Sequence, residues 1–287
     1  MAVIITSSIS QLRDPFILLE DGIYYAYGTG WVAYRNTSGN LEGPWESLGL
    51  VAEKPANSDN NYWAPEVHKY RDAYYMFTTY HSSATGHRGC TVLRAECPEG
   101  PFREISDGHL TPKNWDAIDG TFYIDPLGQP WMIFVHEWTC TPDRVGRMAA
   151  AKLSEDLTHL ISEPVELFRA DAPKWSYNRV TDGCWMHRCA DGQLLMLWSN
   201  WDKYGYCVGI ARSRDGRVDG VWEHDEERLF SRGCEGEYDG GHGMLFNAAD
   251  GQMYLAIHSP NKPQGERLET PIFIPVIERD GNLFRVE

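Results

Sequence analysis

Apolar runs of about five to eight residues recur along the chain and are cut by Gly, Asp, Asn and Pro, a strand pattern with little helical periodicity. Phe16-Ile17-Leu18-Leu19 ends at Asp21-Gly22 and returns as the aromatic run Ile23-Tyr24-Tyr25-Ala26-Tyr27. A polar residue, Asp14, stands just ahead of the first run. The same plan repeats: Glu66 in Trp63-Ala64-Pro65-Glu66-Val67 precedes Tyr74-Tyr75-Met76-Phe77, and Asp119 precedes Trp131-Met132-Ile133-Phe134. Asp182 precedes Leu194-Leu195-Met196-Leu197-Trp198, and His242 precedes Met253-Tyr254-Leu255-Ala256-Ile257-His258. Turn signals fall at Asp21-Gly22, Arg71-Asp72, Pro126-Leu127-Gly128, Asp191-Gly192, Asp250-Gly251 and Asp280-Gly281, each read as joining a first strand to a second.

A second repeat lies further along each unit, at Leu41-Glu42-Gly43-Pro44-Trp45, Glu99-Gly100-Pro101-Phe102, Ser162-Glu163-Pro164 and Asp219-Gly220-Val221-Trp222. Its spacing of roughly 60 residues fits a propeller blade with added loops. Each copy is expected to lead into the outermost strand of its blade. Five such units of four strands predict an all-β chain, a five-bladed β-propeller. No linker divides it, so residues 1–287 are read as one domain.

In a blade the first strand lines the central channel and the second returns antiparallel to the same face. That geometry predicts convergence of Asp14, Glu66, Asp119, Asp182 and His242 with Gly28, His81, His136, Glu137, Ser199, Asn200 and His258. Several carboxylates around one funnel repel one another and drive their pKa values apart, which acid–base chemistry exploits. Of these residues, Trp63, Glu66, His81, His136 and His258 are expected to contact a ligand in the funnel, and Trp31 and Trp138 to offer stacking faces. The competing reading of each is hub packing or a structural hydrogen bond.

Composition narrows the function. A net charge of −15 excludes a nucleic-acid partner, which needs a basic surface. No apolar run reaches about 18 residues, so no membrane span is expected. Met1-Ala2-Val3-Ile4-Ile5-Thr6 lacks the basic and apolar regions of a leader, and the seven Cys include no CxxC pair, so a reducing, cytoplasmic setting is expected. Zinc is not expected, since no cluster has its ligand spacing. His136-Glu137 is not a zincin motif, and no P-loop, dinucleotide fingerprint or nucleophile elbow is present. Aromatics at 13% suit either sheet cores or sugar-stacking surfaces, the core being the expectation for most.

At Arg13-Asp14-Pro15, Trp63-Ala64-Pro65-Glu66-Val67, Asp119 ahead of Phe122 and Asp125, and Gly241-His242-Gly243, the chain resembles glycoside hydrolase family 43. These are five-bladed propellers that cleave arabinosides, xylosides and related sugars with inversion. The resemblance implies that Asp14 is the general base and that Asp119 orients the general acid and tunes its pKa. The acid itself is usually Glu in a Glu-Gly-Pro or Glu-Ala-Pro motif. Here that stretch reads Val180-Thr181-Asp182-Gly183-Cys184-Trp185, one methylene shorter and with Cys for Pro. Asp182 is taken as the acid, with Glu137 as the alternative. The resemblance also implies that His242 can hold a structural calcium ion together with waters, although no cofactor is required for the chemistry. The partner implied is a carbohydrate, and the activity an exo-acting α-L-arabinofuranosidase or β-xylosidase. A β-D-galactofuranosidase and a non-catalytic sugar-binding propeller are the alternatives. Glu96-Cys97-Pro98 imitates the acid motif of the invertase-like β-fructosidases but is expected at an outer-strand edge, away from the channel.

Overall fold

The structure is a computed structural model describing residues 4–232 and 238–286, and all regular structure among the described residues is β. Ile5–Thr6 (β1) opens it. The first blade is β2 (Phe16–Glu20), β3 (Ile23–Gly28), β4 (Val32–Asn36) and β5 (Glu46–Leu50). The second is β6 (Ser58–Tyr70), β7 (Ala73–Ser82), β8 (His87–Ala95) and β9 (Arg103–Glu104), and the third β10 (Ala117–Ile124), β11 (Pro130–His136), β12 (Arg147–Lys152) and β13 (Val165–Arg169). The fourth is β14 (Asp182–Arg188), β15 (Leu194–Asp202), β16 (Gly205–Ser213) and β17 (Trp222–His224). The fifth holds β18 (Gly241–Asn247), β19 (Met253–Ser259), β20 (Thr270–Arg279) and β21 (Asn282–Arg285). The first strands β2, β6, β10, β14 and β18 touch one another in a closed ring, giving the five-bladed propeller.

Each blade is sandwiched between two others, so its middle strands bury both faces and read as continuous apolar runs. β11, Pro130 to His136, is buried at every position. The core is therefore a set of wedges between blades. Phe77, Phe122 and Phe134 fill one, Phe168, Trp175 and Trp198 another, and Leu197, Leu255 and Ile274 a third. Trp31, Trp198, Tyr24, Tyr27 and Phe102 are wholly buried, which places these aromatics in the core. Each large apolar side chain taken out of water contributes about 1.5–3 kcal/mol.

The outer-strand motifs sit where the repeat predicts, immediately before β5, β9 and β13 and running into the first residue of β17. One turn differs from expectation. Asp280-Gly281 joins β20 to β21, a third strand to its outer neighbour, and not a first strand to a second. The fifth blade also differs at its edge. β1 pairs with β20 at Phe273 and Ile272, and β21 pairs with its other half from Val276 to Arg279. Both ends of the described chain thus share the fourth-strand position and close the ring.

The heads of the first strands are bulged. Register breaks fall at Trp63/Glu66, Ile118/Thr121, Asp182/Trp185 and Gly241/Met244. The residue after each break begins is left-handed: Ala64 (φ 44°), Asp119 (55°), Gly183 (46°) and His242 (55°), with Asp14 (55°) at the same place in blade one. A bulge adds a residue to one strand and re-aims its side chain, here toward one mouth of the channel.

Candidate active site

The bulges correct one expectation. The five polar residues read as equivalent are not all equivalent. Asp14, Asp119 and His242 occupy the left-handed position, where short polar side chains and His are better tolerated than bulky ones. Blade two has Ala64 there, and blade four has Gly183. Asp182 stands one residue earlier, in the position of Trp63, Ile118 and Gly241, and Glu66 two residues later than Ala64.

The amide of the left-handed residue is held from the preceding blade, by a group at the end of its second strand. Asp14 N donates to His258 Nδ1 (3.2 Å), Ala64 N to Thr29 Oγ1 (3.1 Å), Asp119 N to Thr79 Oγ1 (2.9 Å) and His242 N to Ser199 Oγ (2.8 Å). By register Trp63 faces Thr79, Asp182 faces Ser199, Gly241 faces His258 and Ile118 faces Val135. Val135 has no polar atom to offer. Gly183 N donates instead to Asp119 Oδ2 at 2.9 Å. The carboxylate of Asp119 is thereby pinned beside Asp182.

Asp14, Asp119, Asp182 and His242 converge on a cavity of about 250 Å³, with Arg13, Thr29, Trp63, Ile118 and Tyr206 completing its wall. Asp14 Oδ2 accepts from Thr29 Oγ1 at 2.5 Å, and its Oδ1 lies 3.2 Å from His242 Nδ1. Burial favours the protonated acid, but the charges of His242 and Arg13, the His258 ring and the Thr29 bond outweigh it and hold Asp14 below the usual carboxylate range. His242 Nδ1 also lies 3.9 Å from Asp119 Oδ2. Burial would strip the imidazole of its proton, yet Asp14, Asp119, Asp182 and Glu66 together raise its pKa. Burial, Asp14 and Glu66 raise Asp119 against the opposing His242 and Gly183 N–H. Asp182 is pushed up to about 8 by burial, then by Asp119 and Asp14, while His242 and the Tyr206 hydroxyl pull the other way. Two aspartates of one cavity therefore stand in opposite protonation states near neutral pH.

The ring of His242 packs on Gly183, where an added Cβ would lie 2.8 Å from its Cγ. Cys184, in place of proline, is buried, and its thiol donates to Asp119 O at 3.1 Å.

Other expected contacts lie elsewhere. Glu66 is buried off the cavity wall, accepting from Thr121 Oγ1 (2.5 Å) and facing His68 Nε2 (3.0 Å). His81 is tied to Asp59 at 2.8 Å. His136 bonds Glu166 at 2.8 Å and stacks on Trp115, with centroids 3.6 Å apart. His258 is wholly buried behind Asp14. Its Nδ1 accepts the Asp14 amide, so it carries its proton on Nε2, 3.3 Å from Asn261 Oδ1, and burial pushes its pKa down to about 3. Glu137 accepts from Arg88 Nε at 2.8 Å and does not line the cavity. Trp31 is buried with its indole N–H on Thr78 Oγ1 (2.6 Å), so it offers no face to a ligand; Trp138 is exposed but off the cavity wall. Glu96 pairs with Arg94 on the surface. Cys234 lies outside the described residues. Tyr206 and Thr29 escaped the sequence reading. Thr29 follows the second strand, where aligned hydroxyls would have disclosed it, while Tyr206 comes from a third strand with no motif around it.

The side chains around His242 offer no ready-made cage for calcium, which takes about six to eight oxygen ligands, so waters would have to supply most of them. Its Nδ1 faces two carboxylates, and among the described residues three metal-type donors within mutual reach occur only at His187, Cys189 and Glu278. That trio lies at the far end of β14, where Glu278 already faces His187 Nε2 (2.8 Å) and accepts from Ala190 N (2.7 Å).

Residues 6–278 match glycosyl hydrolases family 43. A probable arabinan endo-1,5-α-L-arabinosidase A from Aspergillus flavus is 26% identical over 216 residues, covering 72% of this chain and 62% of that protein. The chain thus spans less than two thirds of that relative's length. The structure of an endo-arabinase from Bacteroides thetaiotaomicron superposes with a TM-score of 0.84 at 34% identity, covering 96% of this chain and 98% of that one. A thermostable family-43 glycoside hydrolase shares the fold at 21% identity, with a TM-score of 0.85 over 98% of this chain and 95% of that one.

Proposed function

The chain belongs to family 43 of the glycosyl hydrolases, and on that premise we propose that it hydrolyses α-L-arabinofuranosyl linkages with inversion. The observation that carries this reading is the pair of aspartates on one cavity, Asp14 held ionised and Asp182 held protonated. Asp14 takes a proton from water as the water oxygen bonds to the anomeric carbon. Asp182 gives its proton to the glycosidic oxygen as the carbon–oxygen bond breaks. Asp119, fixed by Gly183 N, lies beside Asp182 and raises its pKa, and His242, its own pKa raised by the carboxylates, faces both Asp14 and Asp119. The ion pair that holds Glu137 to Arg88 favours Asp182 over Glu137 as the acid. No step is routed through a metal.

The arabinan-directed names of the similar proteins support arabinose ahead of xylose or galactofuranose. A cavity of about 250 Å³ is at the small end of ligand pockets. It supports attack at a chain end, one sugar held at a time. Internal cleavage is the second reading, favoured by the endo-arabinase that is 34% identical.

The test is incubation with linear α-1,5-arabinan and with a panel of 4-nitrophenyl glycosides, α-L-arabinofuranoside, β-D-xyloside and β-D-galactofuranoside. Proton NMR follows the anomer released. Arabinose freed as the β-anomer, with no early fall in viscosity, is the expected outcome. A rapid fall in viscosity with mixed oligomers would move the reading to internal cleavage. Retained configuration, or full activity in Asp14→Asn, would sink the mechanism, and binding without turnover would point to a sugar-binding module.

A further inference from the structure

We infer that Tyr206 is the positioning residue that fixes which oxygen of Asp182 carries the transferable proton and that holds the carboxylate left behind. The inference rests on the reading of Asp182 as the general acid.

Tyr206 reaches the cavity from β16, a third strand, whereas the carboxylates and His242 come from the heads of first strands. Its entry is built into the neighbouring blade. A Cβ on Gly241 would lie 2.5 Å from Tyr206 Cε1, so the start of β18 must be glycine for the ring to pass. Tyr206 N donates to Asp239 Oδ2 at 3.1 Å. The ring packs against two others, stacked on His258 at 5.7 Å and tilted against Trp201 at 4.5 Å. The side chain is almost wholly buried, so its hydroxyl has one position to occupy. That hydroxyl donates to Asp182 Oδ2 at 3.1 Å.

The phenol cannot surrender its proton in the working range, because burial and then the charges of Asp182 and Asp14 push its pKa well above the ordinary tyrosine value. It stays a donor. With Oδ2 engaged as an acceptor, the acid proton of Asp182 resides on Oδ1. When that proton moves to the glycosidic oxygen, the pair electrons of the broken O–H bond remain on Asp182. The Tyr206 bond then becomes charge-assisted and shortens. An interaction that is stronger after proton transfer than before it lowers the barrier, not merely the energy of the bound state.

The test compares Tyr206→Phe with the wild type on two arabinofuranosides, one with a 4-nitrophenol leaving group and one with an unactivated sugar or alkyl leaving group. A good leaving group needs little help from the acid. We expect kcat on the unactivated substrate to fall about ten- to a hundred-fold, the worth of a hydrogen bond to a charged group, with KM within about two-fold. The loss on the nitrophenyl substrate should be several times smaller, and the alkaline limb of the pH profile should move to higher pH, since the ionised acid has lost a donor. Equal losses on both substrates with an unmoved limb would mean that Tyr206 only packs, and would overturn the inference while leaving Asp182 as the acid. Asp182→Asn serves as the companion. If it keeps full activity on the unactivated substrate, the reading of the acid falls and this inference with it. Should Tyr206→Phe fail to fold by circular dichroism, Gly241→Ala, whose new methyl displaces the ring, is read by the same two criteria.

Discussion

Asp14 and Asp182 differ in what lies beside them, not in chemistry. Asp14 has two histidine rings, Arg13 and a threonine hydroxyl close to its carboxylate, while Asp182 has two carboxylates set against His242 and one phenol. The proposed mechanism requires Asp14 ionised and Asp182 protonated, so kcat/KM should be bell-shaped. Its acid limb should fall below the ordinary aspartate range, and its alkaline limb close to the value of about 8 held by Asp182. The same asymmetry is a statement about stability. The folded protein holds the Asp182 proton more tightly than the unfolded chain does, so the stability this confers is full at low pH and is lost as the pH rises through about 8. Thermal unfolding followed from pH 6 to 9 should show a falling Tm for the wild type and a flatter curve for Asp182→Asn. Asp14, Asp119, Asp182 and His242 were all legible as polar residues interrupting apolar runs. His81 and His136 were legible as ends of second strands, but their partners were not, since Asp59 and Glu166 lie 22 and 30 positions away in sequence.

At the scale of the strand, the bulge decides which residue looks into the channel. The alternation of apolar and polar positions discloses strands and turns, which is why the four-strand unit and its outer-strand motif were visible in the chain. An inserted residue leaves no mark on that alternation, so the one-residue offset that sets Asp182 apart from Asp119 could not be read. The offset makes Gly183 a sensitive position. Its φ of 46° and the 2.8 Å approach of His242 both oppose a side chain. Gly183→Ala should lose about 1–3 kcal/mol of stability, the scale of a strained backbone or an overpacked contact, measurable in urea. Its activity should fall further than its stability suggests, because the displaced ring is the one that faces Asp14.

At the scale of the molecule, the ring is closed at β20, where β1 and β21 divide one edge between them. Removing residues 1–6 would uncover the half of that edge around Ile272 and Phe273. The expected result is a lower Tm, by about 2–4 °C for each kcal/mol lost, and faster aggregation on heating, since an open strand edge pairs with other chains. This shared edge was also hidden in the sequence. A strand of two residues, Ile5–Thr6, has no period to recognise, and Asp280-Gly281 resembles the turns that serve a different connection.

The propeller repeats five blades, and one departure from that repeat, the Gly183 amide held by the Asp119 carboxylate and not by the end of a second strand, falls in the cavity. Were position 135 a threonine, all five amides could be held alike by the preceding blade, and the Asp119 carboxylate would lose its tether to Gly183. The more regular ring should be the worse enzyme. Val135→Thr keeps the shape but puts a hydroxyl into a wholly buried site, so we expect an unchanged or lower Tm together with a kcat reduced several-fold to about ten-fold, the order of one hydrogen bond. A protein repaired toward regularity would thereby lose the irregularity that sets its two aspartates apart.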